Sequence, residues 1–181
     1  MDSIIITGPK KRLLFNQLCQ FTSSTKLKLL YRATRDGFRG EEFHERCDGI
    51  KITVTIVKSE HGNVFWGYTG EAWESYPGIG KWSVDPKAFL FSLINKDKKS
   101  FKALCTDRDT AIYSQGCQGP RFGLNEINIE CNSHAHRASS SEFGYTFKHP
   151  DYPQGTEKAK TILAGSKYFK TREIEVFVVT N

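Results

Sequence analysis

Three groups of side chains have the types and spacing for chemistry. Cys131, His134 and His136 place one thiol and two imidazoles in a short segment, the donor types that a tetrahedral zinc cage takes. A fourth ligand would have to come from Cys117 or His149, and a polar loop after a strand accounts for the same residues, so no metal is expected. His44 and Cys47 stand three residues apart, close enough on a helix to form a base and a nucleophile. A reactive thiol must be exposed and have a lowered pKa. Cys47 instead shares the apolar stripe of Phe43, which predicts a buried, structural thiol. Glu173 and Glu175 recur on one face of a predicted strand, while Asp36 and Asp48 flank a predicted helix, and paired carboxylates are the usual instruments of acid–base catalysis. Glu173 is expected to face solvent. Glu175 precedes Phe177 on the same face, so it is expected to be buried or half-buried and to need Arg32, Arg35 or a backbone N–H as partner. A structural ion pair is the favoured reading over catalysis.

Weaker signals surround these. The segment Gly119-Pro120-Arg121-Phe122-Gly123 has the glycines and the cation of an anion cradle, but no helix start follows it. Lys96, Lys98, Lys99 and Lys102 form a basic tip that would suit peripheral contact with an anionic membrane, at ~1 kcal/mol per lysine; a solvated hairpin turn is the favoured reading. The sequence contains no G-x-S-x-G, H-E-x-x-H, P-loop or G-x-G-x-x-G pattern.

These residues sit in a chain of 181 amino acids, the size of one domain, with a formal net charge of +6. The positive charges are dispersed rather than clustered, which disfavours nucleic acid as the partner. Five cysteines (Cys19, Cys47, Cys105, Cys117 and Cys131) at irregular spacing, with no apolar leader and no run near the ~18 residues of a membrane span, predict free thiols in a reducing, cytoplasmic setting.

The elements that must position the candidates are mostly strands. Pro9–Phe21 has one apolar stripe of Leu14, Leu18 and Phe21 and is predicted helical. A strand is predicted at Lys26–Ala33, a turn at Arg35-Asp36-Gly37, and a short helix at Gly40–Cys47 closed by Asp48-Gly49. Ile52–Lys58 and Val64–Thr69 read as a hairpin whose first strand is half-buried, since Ile52, Val54 and Ile56 alternate with threonines. A long loop covers Glu71–Pro86. Ala88–Ile94 is apolar on both faces, as a central strand would be. Further strands are predicted at Phe101–Cys105, Thr110–Ser114 and Glu126–Glu130, and a final one at Arg172–Val179. Residues 132–166 show no clear pattern and are expected to be loops. Without β-α-β alternation, the fold class is mainly β, built from antiparallel sheets.

Several segments taken in order resemble the TLDc domain family. Leu29 to Phe38, followed by Phe43-His44 and Cys47-Asp48, is similar to the family's opening signature. Gly67-Tyr68 with Trp73, then Phe89-Leu90-Phe91-Ser92-Leu93, then Gly119 to Gly123, then Ala164-Gly165 through Ile174-Glu175-Val176-Phe177, resemble its later motifs. The likeness spans about residues 10–179, within a single domain 1–181. It implies a sandwich of two antiparallel sheets with few short helices. It also implies a non-enzymatic interaction domain linked to oxidative-stress resistance and to binding of the peripheral stalk of the vacuolar proton-pumping ATPase, with no cofactor, no small-molecule substrate and no catalytic residue. Arg35, Asp36, Gly37, Gly67, Gly123 and Glu175 match the family's polar and glycine pattern. Trp66 stands where a small residue is usual and Arg39 where a capping Ser is common, so Asp36 is expected to cap the short helix. Residues 133–161 diverge from the family. Two other readings remain: a thiol-based redox-protective enzyme resting on the cysteines, and a basic module for membrane or nucleic acid.

Overall fold

The computed structural model describes residues 2–17 and 25–180. Helix α1 (Pro9–Gln17) is followed by strand β1 (Lys26–Arg32), the single turn α2 (Ala33–Asp36) and helix α3 (Gly40–Cys47). Then come β2 (Thr53–Ser59), β3 (Val64–Thr69), β4 (Lys81–Ser83), β5 (Phe89–Ile94), β6 (Phe101–Cys105) and β7 (Ile112–Ser114). The short strands β8 (Arg121–Phe122), β9 (Ile127–Asn128), β10 (Ser139–Ser140) and β11 (Phe147–Lys148) precede α4 (Glu157–Thr161), β12 (Tyr168–Phe169) and the long β13 (Thr171–Thr180).

The strands form two antiparallel sheets. The larger has the order β1-β13-β2-β3-β5-β6-β11, and the smaller β12-β10-β9-β8-β7-β4. The main core lies between them. Phe65, Val57, Leu90 and Val176 of the larger sheet join Ile112, Phe122, Ile127 and Phe169 of the smaller one, with Phe43, Cys47 and Trp73 closing one side. A mainly β, two-sheet fold is therefore what the chain adopts.

The first strand of the hairpin departs from expectation. Every residue of β2 except Lys58 is buried, so it is sealed on both faces rather than one. Val54 and Ile56 belong to a second apolar layer on the outer face of the larger sheet, with Trp66, Tyr68, Phe89, Phe91 and Phe177. Ile6 and Leu14 of the N-terminal segment pack into that layer and take it away from water. Thr53 and Thr55 face the inner core, where Thr53 Oγ1 accepts a hydrogen bond from Trp73 Nε1 at 3.1 Å. Ile52, expected as the first alternating apolar residue, instead has φ +62° outside the strand and is partly exposed.

Three further expectations are corrected. Arg35-Asp36-Gly37 is not a free turn: Ala33–Asp36 is helical and Gly37, at φ +108°, closes it by donating its N–H to Ala33 O. Asp36 does not cap α3, since its carboxylate is engaged by Arg32 N, Arg35 and Arg46; at the start of α3 the Glu42 carboxylate reaches back and accepts from Arg39 N at 2.8 Å. Residues 132–166 hold β10, β11 and α4, elements of two to five residues too short to carry a periodic signal. Of the stripe predicted on the N-terminal helix, Leu14 is buried, and Leu18 and Phe21, like Cys19, lie outside the described residues.

Candidate functional site

Arg32 ends β1 and pairs in register with Glu175 on β13. The Glu175 side chain is fully buried, which an ionised carboxylate tolerates only with matched donors. It has three: Arg32 Nε at 2.9 Å, Ile4 N at 3.0 Å and the Ser3 hydroxyl. Arg32 Nη2 also donates to Asp2 O at 2.6 Å. Ser3 Oγ in turn accepts from Ile5 N and Ile6 N. The N-terminal segment is thus tied to the last strand through one carboxylate.

Asp36 stands beside this cluster. Its carboxylate accepts from Arg32 N at 2.9 Å and from Arg35 Nη2 at 2.7 Å, and Arg46 Nε lies 3.3 Å away. Burial alone would raise its pKa, but the hydrogen bonds from Arg35 and Arg32 N and the two guanidinium charges outweigh it, and the carboxyl is held below its usual value. Gly37 accepts a hydrogen bond from Tyr31 Oη at 2.7 Å, and a Cβ there would lie 1.9 Å from Glu42 Oε2. Four of the six pattern residues therefore gather at one end of the larger sheet, where Arg32 bridges Asp36 and Glu175. Glu173 was expected in solvent. It is buried, accepting from Thr34 N at 3.1 Å, from the Thr34 hydroxyl and from Ile174 N at 3.0 Å.

Gly67 and Gly123 lie elsewhere, where the two sheets touch. A Cβ on Gly67 would fall 2.6 Å from the Phe122 ring, so β3 and β8 approach more closely than any side chain at 67 permits. The neighbouring Trp66 points the other way and stacks on Phe91 at 4.3 Å, which is how the strand accommodates its bulk. Gly123, at φ +66°, leaves room for Glu126, whose Oε2 would lie 2.1 Å from a Cβ. Glu126 is fully buried and accepts from Phe147 N at 3.0 Å, Asn125 N at 3.3 Å and Thr146 N. Among the described residues no cation pairs with it, and burial pushes its carboxyl pKa up against these donors. The sequence marked Glu126 only as the start of a strand, because an acidic residue there reads as exposed.

The His44–Cys47 pair does not form. His44 Nδ1 is 2.6 Å from Asp48 Oδ1, and its Nε2 is 3.0 Å from Gln115 O, so both nitrogens are occupied. Ser75 Oγ donates to the other Asp48 oxygen, which puts the carboxylate and not the imidazole in the middle. Cys47 is sealed, and burial raises its thiol pKa well above the ordinary range. Cys131, His134 and His136 do not converge: the His134 ring packs on Phe38 at 4.3 Å, His136 is exposed, and among the described residues no three His, Cys, Asp or Glu side chains gather as metal ligands. Lys102 leaves the basic tip and lies over the Phe89 ring at 3.8 Å, where burial lowers its pKa. Arg121 sits within β8 rather than in a loop.

With the two-sheet fold and these buried pairs in view, a family model for the TLDc domain matches residues 1–180. The chain belongs to the TLDc domain family. No curated protein matches it. Of the polar pattern in this TLDc domain, Glu175, together with Arg32, ties the first strand, the last strand and the N-terminal segment together, while Asp36 binds Arg35, Arg46 and the backbone of Arg32. Among the described residues no helix is long and apolar enough to cross a membrane.

Proposed function

We propose that this TLDc domain is a non-enzymatic, cytoplasmic protein-interaction module that serves oxidative-stress resistance by binding the peripheral stalk of the vacuolar proton-pumping ATPase. The observation that carries this reading is the engagement of the candidate chemical groups with one another. Glu175 and Asp36 are bound by arginines, both His44 nitrogens have partners, and the Cys47 thiol is sealed. Groups held in this way stabilise a rigid scaffold, and its surface is then the working part. Recombinant domain should co-purify with the pump or its isolated stalk subunits. Failure of folded domain to bind either at micromolar concentration overturns the pump assignment.

A thiol-based protective role is the second reading, favoured by Cys117, which is exposed on the turn before Gly119. A single fast-reacting thiol at Cys117, with peroxide consumed in turnover, would support it; stoichiometric reaction at an ordinary rate would exclude it.

A further inference from the structure

The outer face of the smaller sheet carries one continuous row. Trp82 pairs with Tyr113, Tyr113 with Arg121, Arg121 with Asn128, Asn128 with Ser140, and Ser140 with Tyr168, one residue from each of the six strands. Each points away from the core, whose residues alternate with them along the strands. Unlike the outer face of the larger sheet, this row has no second apolar layer over it among the described residues: five of its members are partly exposed and Tyr168 is 56% exposed.

Arg121 is the charged centre of the row. Its guanidinium carbon lies 4.9 Å from the Tyr113 ring centre and 5.2 Å from that of Trp82. The aromatic pair is held in place by Gly80, where a Cβ would come within 2.6 Å of the Tyr113 ring. Arg121 Nη2 donates to Leu124 O at 2.8 Å, but Nε is buried without an acceptor, and among the described residues no carboxylate lies within ion-pair distance. Six other arginines, Arg32, Arg35, Arg39, Arg46, Arg108 and Arg137, each pair with an Asp or Glu, whereas Arg172, which also forms no ion pair among the described residues, stands exposed instead of half-buried against aromatic rings. Glu130, the acid whose charge reaches Arg121, is itself bound by Asn128 Nδ2 and Gln118 Nε2. Beside Arg121, Asn128 Oδ1 is also buried and without a donor. The row thus combines a partly desolvated cation that forms no ion pair among the described residues with a Trp and a Tyr packed against it. Those three residue types dominate binding hot spots, because the rings exclude water and the guanidinium gains a strong charge-assisted bond once water is gone.

We propose that this face is the docking surface for an acidic segment of a partner protein, with a partner carboxylate seated on Arg121 beside the Trp82–Tyr113 pair. The charge argues for that occupant: a basic chain of net charge +6 presents here a cation that, among the described residues, has no carboxylate within ion-pair distance. The proposal rests on the interaction-module reading and gives the partner's chemistry.

The test is an NMR titration of the whole chain at low salt with acetyl-tetraglutamate amide. The Trp82 indole and Arg121 Nε resonances should shift with a Kd in the low millimolar range, and Arg121→Gln should weaken binding about tenfold or more. A tetraglutamine peptide should leave these resonances in place. If Arg121→Gln lowers the thermal transition, Trp82→Ala on the edge strand β4 gives the same reading. No shift with the acidic peptide, or equal binding by Arg121→Gln, overturns the proposal. So does an oligothymidine that moves the same resonances at lower concentration, which would assign the row to nucleic acid. Pump binding that survives Arg121→Gln sinks this surface and leaves the pump reading intact. Peptide binding lost in Arg121→Gln, with no pump binding by the native domain, does the reverse.

Discussion

Arg32 and Glu175 face each other directly across β1 and β13, 2.9 Å apart, with the carboxylate wholly buried. The same carboxylate holds Ser3 and Ile4. Removing one member of such a pair leaves the other charge uncompensated, which costs more than the pair itself contributes. Glu175→Ala should lower the unfolding free energy by ~3 kcal/mol and release the N-terminal segment. Denaturant unfolding with hydrogen exchange at Ile4 and Ile6 measures both effects. Unchanged stability accompanied by loss of partner binding would move Glu175 from scaffold to interface.

Glu126 offers the opposite case, a buried carboxylate satisfied by backbone N–H groups and, among the described residues, lacking a cation. Its pKa is raised in the folded state, so folding favours the protonated form. Its contribution to stability is therefore fullest below the ordinary glutamate pKa and declines as pH rises through the folded value. Glu126→Gln should retain an acceptor for Thr146 N and Phe147 N, and should flatten the fall in stability on the alkaline side of pH 4.5. Glu126→Leu should cost ~2 kcal/mol or more, because it orphans those donors. Thermal melts of the three proteins from pH 4 to 8 separate these outcomes.

Gly67→Ala should destabilise by ~1–3 kcal/mol through overpacking against Phe122. A second substitution, Phe122→Leu, should restore part of the loss, since it vacates the space that the new methyl needs. A double-mutant cycle in urea reads the coupling. Additive losses would mean that the two sheets separate locally instead of repacking.

Thiol chemistry should follow exposure. In the folded protein Cys117 should react with a disulfide reagent at an ordinary rate, while Cys47 should stay protected until global unfolding. Mass mapping after a short pulse of reagent tests the order. Early labelling of Cys47 would show that α3 opens independently of the core.

Long periodic elements were legible in the sequence: the bounds of α3 and of β3 match the expected ones, and β5 and β13 fall within a residue or two. Two-residue strands have no period to read, so β10 to β12 stayed hidden. The alternation in β2 suggested one wet face because a threonine stripe next to a valine stripe looks amphipathic. Only the arrival of Ile6 and Leu14 on the outer side, and of Trp73 over Thr53, makes both faces dry. Arg32 could be named as a partner for Glu175 because few other cations were near in the pattern. Ser3, Glu173 and Glu126 could not, because their burial depends on register and on chain segments far away in sequence. The row through Arg121 escaped for the same reason: its six members come from six separate strands and touch only after the sheet forms.

The place of β13 between β1 and β2 has a consequence for biosynthesis. The first strand made has no neighbour in its sheet until the last strand has left the ribosome. Strands β2, β3, β5 and β6 can zip together as they emerge, each next to one already present. They must then wait with an open, apolar edge for β13. The sheet therefore closes in a single late event that recruits β1 and β13 together, and a nascent chain stalled short of Glu175 presents chaperones with an unsealed sheet.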